Sequence, residues 1–141
     1  MQIQIAATDA EIMACFAVMA ELRPQLAPEQ FVDTVRRLTA QGGFQLVSLQ
    51  DGGAVKAVAG IRLGEWLHRG LYLEIEDLVV TASDRSHGYG AALFHWLADY
   101  ARARQCRQLQ LVSGVAREAA HRFYLRLGMR IEAKYFSLDL D

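Results

Sequence analysis

Gln2 to Ala6 alternates polar with apolar positions, the period of a half-buried strand, and Thr8 followed by Glu11 forms the capping-box pattern that opens a helix. That first helix runs to about Arg23 and is apolar almost all round. Pro28 suits the first turn of a second helix, in which Phe31, Val35 and Leu38 share a face, and Gly42-Gly43 closes it. Phe44 to Leu49 and Ala54 to Leu63 flank Asp51-Gly52-Gly53, where a turn needing positive φ is easily made, so they read as a hairpin. Leu71 to Val80 is the clearest strand after it.

From there the pattern predicts a helix over Gly88 to Arg104, a strand over Gln108 to Val112, a helix over Ala116 to Leu127 and a strand over Ala133 to Leu140. This second half is an α/β alternation. Leu93, Trp96, Leu97 and Tyr100 make one stripe on the third helix, and Ala119, Ala120, Phe123 and Leu127 another on the fourth, with Gly128 where a C-cap is expected.

Composition narrows the class. A chain of 141 residues, 52% apolar and 22% charged, is the size and make-up of one globular domain. Its net charge of −1 supplies no field for drawing in phosphate backbones or anionic lipid, so neither nucleic acid nor a membrane is an expected partner. Cys15 and Cys106 are far apart, with no Cys-x-x-Cys and no His at ligand spacing, so no disulfide framework and no metal site is expected. The longest apolar run, Ile12 to Ala20, is too short to span a bilayer, and Asp9 and Glu11 stand where a signal peptide carries basic residues; a cytoplasmic protein is expected.

Arg85-Ser86-His87-Gly88-Tyr89-Gly90-Ala91 joins the end of an apolar strand to the start of an amphipathic helix. Glycines there let the backbone approach a ligand, and the N–H groups of the first helical turn favour an anion such as phosphate. Simple turn geometry explains a Gly-x-Gly equally well. Two other phosphate loops are excluded: Leu93 stands where the dinucleotide fingerprint needs a small residue, and no Gly-Lys-Ser/Thr occurs.

Arg85-x-x-Gly88-x-Gly90 after Ile75-Glu76-Asp77-Leu78-Val79-Val80 resembles the acetyl-CoA signature of the GCN5-related N-acetyltransferase (GNAT) family. Ser113-Gly114, then Ala120-His121-Arg122-Phe123-Tyr124, then Gly128-Met129 resembles that family's second block. The resemblance covers nearly the whole chain. It implies a single α/β (α+β) domain over residues 1–141, the GNAT fold, with a mixed central sheet of six to seven strands flanked by four helices.

By this resemblance the backbone of Arg85, Ser86, His87, Gly88, Tyr89, Gly90 and Ala91 would hold the diphosphate of acetyl-CoA, the acyl donor. Leu78, Val79 and Val80 would offer main-chain groups to the pantetheine arm, and a backbone N–H near Val79 would face the developing oxyanion. Ser86 and His87 replace the Gly and Lys or Arg common in the family, and Arg117 stands where many members carry a cofactor-contacting Asn.

Acyl transfer to an amine needs a base to free the lone pair and an acid for the thiolate. Tyr124 matches the family's acid position, close to the cofactor sulfur. Glu76 and Glu74 are the candidate bases, with Glu76 slightly ahead. Strand alternation puts both on one face with Leu78 and Val80, and Asp77 on the other with Ile75 and Val79. His68, His87, His95 and His121 are assigned no catalytic role.

The reading that follows is an N-acetyltransferase moving an acetyl group from acetyl-CoA to a primary amine of a small molecule or a protein. The alternative is a non-catalytic acyl-CoA-binding sensor. Glu21, Arg23, Glu65 and Arg69 would contact a charged acceptor or stay solvated. Tyr135-Phe136-Ser137-Leu138 would supply the edge of a homodimer or lie in its own sheet.

Overall fold

The structure, a computed structural model, describes residues 1–141. In chain order it contains β1 (Gln2–Ala6), α1 (Asp9–Ala14), α2 (Phe16–Leu22), α3 (Pro28–Gly42), β2 (Gln45–Asp51), β3 (Ala54–Trp66), β4 (Gly70–Val80), α4 (Tyr89–Ala103), β5 (Gln108–Leu111) and α5 (Glu118–Arg126). A short 3-10 turn, Ala82–Asp84, follows β4. The five strands form one sheet in the order β1-β2-β3-β4-β5, with β1 to β4 joined by antiparallel pairing.

Local signals set most boundaries. Thr8 accepts from the Glu11 N–H at 3.1 Å while the Glu11 carboxylate accepts from the Thr8 N–H at 2.9 Å, the reciprocal capping box. Gly43 closes α3 in the left-handed region at φ 72, and Gly52 and Gly53, at φ 62 and 80, make the β2–β3 turn.

Three expectations are corrected. The first helix is two helices, because the Cys15 thiol donates to the Glu11 carbonyl at 3.4 Å and the Cys15 N–H falls back on Ile12, so the regular ladder lapses for one residue. Five helices therefore stand where four were expected. The sheet has five strands rather than six to seven, since Ala133 to Leu140 forms no strand; alternation makes such a segment able to pair but supplies no partner.

Two compact units divide the chain, Met1–Gln110 and Leu111–Asp141. In the first, Ile12, Val18, Met19, Phe31 and Val35 of α1 to α3 cluster with Ala6, Phe44, Leu46, Val58 and Val79 of the sheet side. The alternate sheet positions Val47, Leu49, Ala59, Ile61, Leu73 and Ile75 are also buried, and α4, which packs on β3 and β4, buries Leu93, Phe94, Leu97 and Ala101. A helix layer thus covers each face. Trp96, in the same stripe as the enclosed Leu93 and Leu97, is only half-buried and stacks on Tyr100 at 5.3 Å. The second unit carries α5 and has no fully buried residue.

Candidate active site

The end of β4 is held by ion pairs and caps. Glu21, from α2, accepts from Thr81 Oγ1 at 2.7 Å and from the Ala82 N–H at 2.8 Å. Lys56 pairs with Asp84 at 3.0 Å, and that hydrogen bond, ahead of any other influence, holds the Asp84 carboxyl below its usual range. Beyond this anchor the chain turns through Ser86 at φ 71 and Gly88 at φ 79. A serine in the left-handed region carries strain of about 1 kcal/mol or more.

Left-handed residues at such a turn make successive N–H groups converge, the geometry of an anion-binding concavity. Gly88 is the N-cap of α4, and no side chain caps that end, so the N–H groups of Tyr89, Gly90 and Ala91 open a helix without an intrahelical acceptor. Tyr89 is pinned by its hydroxyl, which donates to Asp51 at 2.7 Å; sharing with that carboxylate pushes the phenol's pKa up and Asp51's down. His87 leans toward Asp84 at 3.9 Å. The cradle suits a diphosphate: backbone donors at a helix start, with the adjacent carboxylates already neutralised.

The carboxylates of β4 are arranged differently from the alternation. Gly60 is opposite Asp77 but Ile61 is opposite Ile75, so Glu76 is an extra residue on β4, a β-bulge. One extra residue reverses the faces beyond it. Glu76 pairs with Arg62, whose guanidinium lies over the Phe44 ring, and Asp77 pairs with Arg23 at the end of α2. Glu74 is opposite Arg62 in register. Glu74, Glu76 and Asp77 therefore share the face covered by α1 to α3, and Asp77 does not lie with Ile75. A Cβ at Gly60 would overlap Asp77 Oδ2 and the Phe44 ring, which is why the bulge needs glycine there.

These three acids differ in what holds them. Arg62 meets Glu76 through Nε at 2.7 Å and Nη2 at 3.5 Å. Arg23 donates to Asp77 Oδ1 at 2.8 Å and to the Glu76 carbonyl at 3.2 Å. Burial nevertheless pushes the Asp77 carboxyl up, outweighing the arginine. Glu74 accepts only from an amide, Gln110 Nε2, at 2.7 Å. Glu74 is thus the acid of the three whose carboxylate no guanidinium occupies.

In the second unit, Tyr124 lies on α5 beside Phe123, with ring centroids 5.3 Å apart. Burial pushes its phenol pKa up, with Arg117 acting against that, so it carries its proton at neutral pH. Arg117 is the N-cap of α5 with an exposed side chain. His121 meets the Gly114 carbonyl at 2.8 Å and fixes the turn before the helix.

Glu21 and Arg23, considered as acceptor contacts, are instead structural partners of Thr81 and Asp77. Gln110 and Arg62 carry weight that the sequence pattern did not assign. The signal for the bulge was Gly60, an isolated glycine inside an apolar strand. Gln110 had only its polar place in a short strand.

The profile of the Acetyltransferase (GNAT) family matches residues 10–129. An N-acetyltransferase of Bacillus subtilis named YhdJ, described as uncharacterized, is 34% identical over 122 residues, covering 86% of each chain. The aminoalkylphosphonate N-acetyltransferase of Salmonella typhimurium is 32% identical over 79 residues, 55% of this chain and 51% of that one. Among solved structures, a Trypanosoma brucei acetyltransferase superposes with a TM-score of 0.78 at 23% identity, covering 99% of both chains. A Staphylococcus aureus GNAT family acetyltransferase gives 0.82 at 15%, covering 99% of this chain and 98% of its own. With its own loop geometry and these likenesses agreeing, the chain belongs to the GNAT family of acetyltransferases.

Proposed function

We propose that this acyltransferase uses acetyl-CoA to acetylate a primary amine, with Glu74 as base and Tyr124 as acid. The observation that carries the assignment of the base is the difference among the β4 acids: Glu76 and Asp77 are each tied to an arginine, and Glu74 is not. The N–H groups from Arg85 to Ala91 would bind the diphosphate, with main-chain groups of Leu78, Val79 and Val80 along the pantetheine arm. Arg117 would reach a phosphate or the acceptor.

The amine arrives mostly as R–NH3⁺. Glu74 takes one proton, directly or through water, and the freed lone pair forms the N–C bond at the thioester carbonyl. The C–S bond breaks, the nitrogen loses its second proton, and Tyr124 protonates the departing sulfur before water restores the phenol. R–NH3⁺ and acetyl-CoA thus become the acetamide, CoA–SH and one proton. A main-chain N–H near Val79 would stabilise the oxyanion.

The setting we infer is the cytoplasm, without a nucleic-acid, membrane or metal partner, and as a homodimer. Support for the dimer is the segment after α5: Tyr135, Phe136, Leu138 and Leu140 are 73%, 85%, 83% and 87% exposed. Apolar surface so continuous usually marks an interface. Sedimentation equilibrium tests it, a dimer being expected and a monomer contradicting it.

Thiol release from acetyl-CoA, run against alkylamines, aminoalkylphosphonates, polyamines, aminoglycosides and peptide N-termini, tests the activity. At least one amine should turn over. Tight acetyl-CoA binding without turnover on any of them would overturn the enzymatic reading.

A further inference from the structure

Glu74 and Gln110 meet across neighbouring strands, β4 and β5, and both are half-buried. The contact from Gln110 Nε2 to Glu74 Oε1 fixes which way the amide is turned, because the reverse orientation would set its oxygen against a carboxylate oxygen. Gln110 Oε1 is therefore directed elsewhere, and it is buried with no donor. Native structures pair nearly all such atoms, so an orphaned acceptor calls for a partner the chain itself does not supply. Glu74 is in a matching condition. Arg62, its register partner, is drawn away to Glu76 and to the Gly42 carbonyl, which leaves the carboxylate with one neutral donor and no cation.

Two acceptor atoms of the pair are thus left without a donor, Glu74 Oε2 and Gln110 Oε1, one of them on a charged group. A group that satisfies both must bring at least two N–H donors and a positive charge. We propose that Glu74 and Gln110 together form the receiving site for the primary ammonium group of the acceptor. Gln110 is a binding residue in its own right and also positions the carboxylate that takes the proton. The inference rests on the acetyltransferase reading above for the identity of the acceptor, and adds that a nitrogen without two N–H donors is discriminated against at this pair. A quaternary ammonium has the charge and no donor, and so fails here.

The test is an NMR titration of the whole chain with side-chain ¹⁵N-labelled glutamine, the Gln110 amide resonance being assigned through Gln110→Leu. Ethylammonium chloride and tetramethylammonium chloride are the probes. Ethylammonium should move the Gln110 resonance saturably while tetramethylammonium leaves it in place, and Glu74→Gln should abolish the response. Equal shifts with both ions, no shift with either, or a response that survives Glu74→Gln would overturn the proposal. The comparison of the two ions in the wild-type chain needs no change at Glu74, and sequential backbone-to-side-chain assignment identifies the Gln110 amide without Gln110→Leu, so it decides even where a substitution harms folding. An ammonium-specific response in a protein that releases no thiol from acetyl-CoA would keep this site and remove the acetyltransferase reading; turnover without the response would do the reverse.

Discussion

Residues 1–110 and residues 111–141 treat their apolar side chains in opposite ways. The first unit encloses Leu49, Val58, Leu73, Leu93 and Leu97 completely, and ties Asp77 and Asp84 into ion pairs with Arg23 and Lys56. The second buries no residue fully, holds Tyr124 on a short helix, and leaves Tyr135, Phe136, Leu138 and Leu140 in solvent. Stability is therefore concentrated in the sheet and its helices. Residues 111–141 are expected to contribute chemistry and association.

That contrast sets the order of the expected effects. Leu93→Ala removes a fully enclosed side chain from α4 and should cost about 2–5 kcal/mol in urea unfolding. Leu138→Ser, measured in dilute protein, should stay within about 0.5 kcal/mol; a comparable loss at both positions would break the contrast. Tyr124→Phe should lower kcat on the order of 100-fold, with acetyl-CoA affinity and unfolding midpoint nearly unchanged. Unaltered turnover would remove Tyr124 from the chemistry. Gly60→Ala sets a methyl against Asp77 and Phe44 and should cost about 1–3 kcal/mol, relieved when Asp77→Ala is added.

The smallest expected effect concerns pH. Burial raises the Asp77 pKa in the folded chain, so between the ordinary aspartate value near 3.9 and the raised one the folded state binds more protons than the unfolded. Asp77 therefore contributes a loss of stability as pH rises through that window. Asp77→Asn should remove this component from the pH dependence of the urea midpoint. A variant whose midpoint follows the wild-type slope would show that Arg23 fully offsets the burial.

How much of this was legible in the sequence depended on sequence distance. The Thr8–Glu11 box, the Gly43 stop, the Gly52-Gly53 turn and the Gly88 helix start are local devices, and each stands where the pattern placed it. The faces of β4 were misread because alternation assumes unbroken pairing, and the bulge depends on how β3 lies alongside. Which acid is tied up depends on Arg23 and Arg62, 54 and 14 residues from their partners, and no short-range pattern encodes those pairs. The expected final strand failed for a related reason: Ala133 to Leu140 has the right alternation, and pairing is a property of two segments.

Glu74, held by Gln110 and paired with no arginine, is expected to take the proton from the acceptor amine. The most direct test of that role is kcat/KM for thiol release at neutral pH, compared in Glu74→Gln and Glu76→Gln with the fastest amine of the acceptor panel. Glu74→Gln should fall by on the order of 100-fold or more, while Glu76→Gln, which frees Arg62 without removing the base, should fall by less than about 10-fold. A Glu74→Gln enzyme with wild-type kcat/KM, or the larger loss in Glu76→Gln, would contradict the account.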